Sequence, residues 1–247
     1  MIRLAPFALI GLMAAPVQAF DLTNMTEDER QIFRDEVRQY LMDNPQVIMD
    51  AVAVLEERNA ANQENADLRM VEDNSDAIFN DGYSWVGGNP EGDVTVVEFL
   101  DYRCGYCRKA YEEVMELVED DQNIRFIVKE FPILGQASLD SSRFAVATKL
   151  AAGDDAYEAM HDALMAYKGP TDTQALSRLA DGLGLDSAAI VAKLDDEAVD
   201  GAIRSTHELA QTLQINGTPT FVFGDQMIRG YVPLKAMEQI VSEQRDG

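Results

Sequence analysis

Cysteine is nearly absent from these 247 residues: there are two, Cys104 and Cys107. Two thiols cannot build a disulfide scaffold or a four-thiolate metal site. Histidine is equally scarce, with only His161 and His207, which leaves little material for zinc catalysis. Basic side chains are few: 20 Lys and Arg stand against 44 Asp and Glu, for a net charge of −24. A chain this acidic is repelled by phosphate backbones, so no nucleic-acid partner is expected, and anionic membrane surfaces are disfavoured. Neither a P-loop nor a G-x-G-x-x-G stretch is present, so nucleotide chemistry has no support.

Long apolar runs are also missing. The longest candidate, Leu4 to Ala15, is short of the ~20 residues that span a bilayer. It follows Arg3 and precedes Val17-Gln18-Ala19, a small-x-small cleavage pattern. Residues 1–19 therefore read as a signal peptide, with a mature start near Phe20. Export places the two cysteines in an oxidising space, where a vicinal pair can serve as a redox couple.

What is present divides into two parts. Residues 20–70 read as an N-terminal helical module and linker. Thr26 and Glu29 form a capping box. Ile32, Phe33, Val37, Tyr40 and Leu41 then fall at helical spacing. Asn44-Pro45 restarts the chain, with Asn44 expected to cap the second helix. That helix carries Val47, Ile48, Ala51, Val52, Val54 and Leu55, and its apolar stripe fades over residues 58–69. Met42 and Met49 are expected at core-like helix or strand positions, as are Met160, Met165, Met227 and Met237. A helical pair this small has too little core to stand alone, and must pack on the main domain or on copies of itself.

The main domain is expected over residues 80–247. Val94 to Leu100 reads as a buried strand, residues 107–119 as a helix and Ile124 to Val128 as a second strand, together a βαβ unit. Residues 138–214 read as helical, broken at Gly153, Gly169-Pro170 and Gly182-x-Gly184. A strand from Thr218 to Phe223, a hairpin through Gly224-Asp225 and a helix over residues 233–245 complete an α/β fold.

Cys104-Gly105-Tyr106-Cys107 stands where the first strand ends and the helix begins. Free N–H groups and the positive end of the dipole favour thiolate there. Cys104, at the exposed start of the turn, is expected to attack a disulfide, and Cys107, one turn further in, to resolve the mixed disulfide. Metal ligation, notably of Cu(I), and a structural bridge are the other readings of such a pair. Glu98 lies six residues before Cys104 on a buried strand. It is either a proton carrier for Cys107 or a strand residue with its own partner. Thr218-Pro219 at a strand entrance is either a cis peptide or an edge-strand proline. His161 and His207 read as surface or half-buried helix residues. Tyr102 and Tyr106 flank the thiols, for substrate contact or for loop packing.

Taken together, VVEFLDYRCGYC at 96–107, KEFPILG at 129–135 and NGTPTFVFGD at 216–225 resemble the DsbA-like periplasmic thiol–disulfide oxidoreductases. The resemblance implies a thioredoxin fold with an inserted helical domain, preceded by an N-terminal helical segment. It implies catalytic roles for Cys104, Cys107 and Glu98, and substrate alignment by Gly105, Tyr106, Thr218 and a cis Pro219. Neither an organic cofactor nor a resident metal is required. The stretch from Tyr40 to Ile48, with Leu55 to Arg58, is similar to the N-terminal region of the ScsC (suppressor of copper sensitivity) members. That implies a homo-oligomer, a trimer being favoured. Gly105-Tyr106 and Thr218 are closer to the DsbC-like isomerases than to the dedicated oxidase, which carries Pro-His and Val at those places. The implied partners are exported proteins bearing thiols or disulfides and a membrane redox protein that resets the pair.

Overall fold

The computed structural model describes residues 23–246, so the signal-peptide reading of residues 1–19 lies outside the described residues. The chain divides into two compact units between Asn59 and Ala60. Among the described residues no helix is long and apolar enough to cross a membrane.

The first unit holds α1 (Glu27–Asp43) and the start of α2 (Gln46–Asp73). The Thr26 and Glu29 capping box is formed in both directions, and three acidic residues stand in the first turn of α1, where the dipole favours them. Asn44 differs from expectation. It closes α1 instead of capping α2: its N–H and side-chain amide both donate to the Tyr40 carbonyl, at 2.8 and 3.0 Å. α1 buries nothing, and the apolar residues Ile32, Phe33, Tyr40, Ile48 and Leu55 are exposed. Met42 and Met49 share that exposure, against the core positions expected for them, because this unit has no core to bury them in.

The second unit is built on a five-stranded sheet. Its strands are β1 (Trp85–Gly88), β2 (Val94–Leu100), β3 (Ile124–Glu130), β4 (Thr220–Phe223) and β5 (Gln226–Arg229), ordered β1-β3-β2-β4-β5. β2 and β3 are parallel and joined by α4 (Gly105–Asp121); the other pairings are antiparallel. Parallel neighbours need such a crossover, which is why the helix follows the cysteine turn. Gly224, at φ 57° between β4 and β5, supplies a left-handed turn position that a larger residue rarely adopts.

Both sheet faces are covered, so β2 is apolar almost throughout. Val94, Val96 and Leu100 face a core shared with α4. Val97 and Phe99 face the opposite core, which includes Val71 near the end of α2, Ile78 of α3 (Ser75–Phe79) and Leu209. By the two-residue period of a strand, Glu98 points to the α4 side. Asp67, also near the end of α2, makes a bidentate ion pair with Arg229 at 2.6 and 2.9 Å.

Between β3 and β4 lie α5 (Gln136–Ala152), α6 (Asp154–Ala166), α7 (Thr173–Gly182), α8 (Ser187–Val191) and α9 (Glu197–Thr212). The helices break at the expected glycines. A further break precedes α9, where the Asp196 side chain caps the new helix at Ala198 N. The C-terminal helix α10 (Leu234–Asp246) buries Met237 and Val241. Met160, Met165 and Met227 are buried as well.

Candidate active site

Cys104 is the N-cap of α4, with extended backbone (φ −73°, ψ 120°), and Cys107 sits in the first turn. Both are free thiols. Cys104 is only 7% exposed and Cys107 is fully covered. Cys104 is therefore less open than its place at a turn suggests, because the chain entering β4 covers it: Cys104 Sγ donates to the Thr218 carbonyl at 3.2 Å. The Thr218–Pro219 peptide is cis. Pro219 is buried and Thr218 half-buried. A shallow cavity of about 200 Å³ runs past Gly217, Thr218, Pro219 and Gly230.

The two sulfurs have opposite ionisation. The Cys107 side chain, first, and then the Thr218 side chain and the N–H groups of Cys107 and Tyr106 stabilise the Cys104 thiolate; together they overcome burial and bring the thiol down to about 5. This is N-cap chemistry with sulfur as the acceptor. The hydrogen bond with Cys104, burial and the Glu98 charge push Cys107 far up. One thiol is thus held as a nucleophile and the other as a proton-bearing reserve.

Glu98 is 2% exposed, and its Oε1 has no hydrogen-bond partner. Burial, and then the Cys104 charge, raise its carboxyl to about 8. No hydrogen bond joins it to Cys107; the two are linked through their charges. A buried acid with an empty oxygen beside a thiol pair can take up or return one proton near neutral pH.

Gly105 and Tyr106 are the exposed members of the turn. A side chain at Gly105 would meet open space. Tyr106 is 63% exposed, with its ring 6.4 Å from that of Tyr231. Lys109 stands over the other ring, 3.9 Å from its centroid. Tyr102 takes the second of its two readings: it is fully buried and packs the loop. Arg103 and Arg108 donate to backbone carbonyls, Arg103 to Gly169 and Arg108 to Tyr102 and Tyr167.

Three contributors were not evident from the sequence. Asp101 is buried and accepts from the N–H groups of Arg103, Ile133 and Leu134 at 2.8–2.9 Å, tying the cysteine loop to the segment after β3. Glu130 is a second buried carboxylate, bonded to two tyrosine hydroxyls. His161 is fully buried against Tyr102, which corrects its reading as a surface or half-buried residue. His207 is half-buried beside Phe131, in line with expectation. The signal for Glu130 was its place in the KEFPILG segment; His161 had none.

With this geometry in place, the family profile of the DSBA-like thioredoxin domain matches residues 95–242. The chain belongs to that family. The N-terminal domain of the copper resistance protein ScsC matches residues 29–62. A thioredoxin-like oxidoreductase from Silicibacter pomeroyi DSS-3 is 41% identical, with a TM-score of 0.65, over 70% of this chain and 98% of that one. Proteus mirabilis ScsC in a transitional conformation is 26% identical, with a TM-score of 0.65, over 89% of this chain and 98% of that one. Among curated sequences, Na(+)/H(+) antiporter NhaA 3 of Salinispora tropica is 31% identical over 156 residues, 63% of this chain and 24% of that protein. The chain thus spans about a quarter of the length of the curated relatives it matches.

Proposed function

We propose that this DSBA-like protein performs thiol–disulfide exchange on exported polypeptides in the periplasm. The observation that carries the reading is the placement of the two sulfurs: Cys104 is the N-cap of α4 with its thiol against the Thr218 carbonyl beside a cis Pro219, and Cys107 is fully covered in the first turn.

In the reducing direction the Cys104 thiolate attacks one sulfur of a client disulfide. A Cys104–client bond forms, the client S–S bond breaks and the second client sulfur leaves as thiolate. Cys107 then gives its proton to Glu98 and attacks Cys104 Sγ. The first client sulfur, the one bonded to Cys104, departs as thiolate, the client has gained two electrons, and Cys104 and Cys107 are joined. Oxidation of a client is the reverse, with Glu98 returning the proton to Cys107. If a client thiolate attacks the mixed disulfide before Cys107 does, Cys104 is regenerated and the client bond is merely moved, which is isomerisation. Thr218 and Pro219 lie beside the reacting sulfur, where they align the client backbone, and Gly105 and Tyr106 form the exposed edge.

Isomerisation is the favoured direction, because α1 and the start of α2 present an apolar stripe that suits assembly with further copies of this chain. Such assembly, a trimer in the ScsC pattern, sets several thiol pairs around one client. A membrane redox protein would keep them reduced. The reading is tested by refolding a scrambled disulfide protein with the parent and with Cys104→Ser. It requires catalysis by the parent and none by the variant.

Cu(I) binding by the same thiols is the second reading, favoured by the copper-resistance domain matched at residues 29–62. Stoichiometric, tight Cu(I) uptake by the reduced protein, without turnover of the scrambled substrate, would support it instead.

A further inference from the structure

Beneath the loop that carries Cys104 lies a buried polar cluster with no part in the exchange steps. Glu130, the last residue of β3, is opposite Leu100 of β2, and Glu98 is opposite Val128. The two buried acids are thus diagonal neighbours on one sheet face. Glu130 Oε1 accepts from the Tyr102 hydroxyl at 2.7 Å and from the Tyr157 hydroxyl at 2.6 Å. Tyr102 also meets His161 Nδ1 at 3.0 Å. Its one proton goes to the carboxylate, so it accepts from Nδ1–H of a neutral imidazole. Burial keeps that imidazole neutral by taking its pKa down to about 3. Tyr157 and Trp85 stack on the imidazole ring. Glu130 Oε2 and the Ser142 hydroxyl of α5 are both buried without a partner. Burial pushes Glu130 up to about 7, against the hydroxyls of Tyr157 and Tyr102, and the Asp101 charge adds to the rise.

A carboxylate in such a core is costly unless it holds something in place. Its two donors come from different parts of the fold: Tyr102 from the β2–α4 loop and Tyr157 from α6. Glu130 therefore bolts the cysteine loop to the inserted helices. Tyr102 is two residues before Cys104. Its own carbonyl is held by Arg108 Nε at 2.7 Å, and the adjacent Asp101 carbonyl accepts from Cys104 N at 3.0 Å. A shift of Tyr102 is carried directly to Cys104.

We propose that Glu130 is a positioning residue for the thiol pair: acting through Tyr102, it fixes the β2–α4 loop and so keeps Cys104 Sγ against the N–H groups that stabilise its thiolate. The proposal rests on the exchange reading above. It differs in sign from a simple charge effect. Removing a nearby negative charge would make Cys104 easier to ionise, whereas loosening the loop makes it harder.

The test uses the full-length protein with Glu130→Leu and Tyr102→Phe, singly and together. Thiolate absorbance against pH and equilibration with glutathione are the readouts. Each single variant is expected to raise the Cys104 midpoint by about one pH unit and to lower the equilibrium constant for reduction of its disulfide about tenfold, or ~30 mV. The double variant should go no further, because both changes break the same bond. A lowered melting temperature with an unmoved midpoint overturns the proposal, as does a downward shift. Tyr102→Phe removes one hydroxyl only, and decides the matter if Glu130→Leu does not fold. A parent that neither equilibrates with glutathione nor ionises Cys104 below neutrality refutes the exchange reading itself, a result distinct from variants that merely match an active parent.

Discussion

Cys104 Sγ and the Thr218 carbonyl oxygen, 114 positions apart in the chain, meet at 3.2 Å. A thiol donates to that oxygen, but a thiolate has no proton to give. Ionisation of Cys104 is therefore sustained by other donors: the Cys107 side chain first, then the Thr218 side chain and the N–H groups of Cys107 and Tyr106.

It follows that Cys107→Ala should raise the Cys104 midpoint well above 5, and that Cys107→Ser should raise it less. Serine keeps a hydroxyl donor where alanine has none. Thiolate absorbance of the two variants checks the order; equal midpoints would mean that Cys107 does not hold the thiolate.

The buried acid Glu98 makes stability depend on pH. Its carboxyl titrates near 8 in the folded chain and at the ordinary 4.5 when unfolded. The folded state binds the extra proton between those values. Its contribution is fully present below about 4.5 and is lost as pH rises through about 8. Cys104 acts in the opposite sense in the reduced protein, so the measurement belongs on the disulfide form, where the Cys104 charge is gone and burial, the larger cause, still raises Glu98. Denaturant unfolding should show the parent losing stability as pH rises above about 4.5. Glu98→Gln should flatten the profile and leave the smaller step of Glu130, near 7.

Asp101 holds three backbone N–H groups with one carboxylate. Asp101→Ala leaves them without that acceptor and should cost about 2–3 kcal/mol. Thermal unfolding measures the loss. A change near zero would mean that water replaces the carboxylate at all three.

Deleting residues 20–59 removes the exposed stripe and spares the compact unit that begins at Ala60. Light scattering should then report a monomer that still exchanges disulfides. Extending the deletion to residue 70 also removes Asp67, the bidentate partner of Arg229, so this form should melt lower. Unchanged mass on the first deletion would contradict self-association through this segment.

What could be read in advance was whatever depends on neighbours in sequence. The β-branched run of β2, the helical period of α4 and the capping box of Thr26 and Glu29 are local patterns, and each is where its spacing puts it. What was misread depends on residues far away. His161 on an amphipathic helix looks like a surface residue until Tyr102, 59 positions away, comes to bond it. The position of Cys104 at a turn suggests exposure, and only the arrival of Thr218 covers it. Glu130 follows a buried Lys129 that pairs with Asp81 on the other side of β3. Two adjacent charges at a strand end look like a solvated edge unless both partners are known. For α1 the apolar spacing was legible, but a covering surface cannot be read from one chain.

The most direct test of the account is the ionisation of Cys104 in the reduced full-length protein, followed by thiolate absorbance from acid to alkaline pH. The account predicts a single thiolate appearing near pH 5, absent in Cys104→Ser, with Cys107 staying protonated throughout. A midpoint near the ordinary thiol value of 9, or two thiols ionising together, would contradict it.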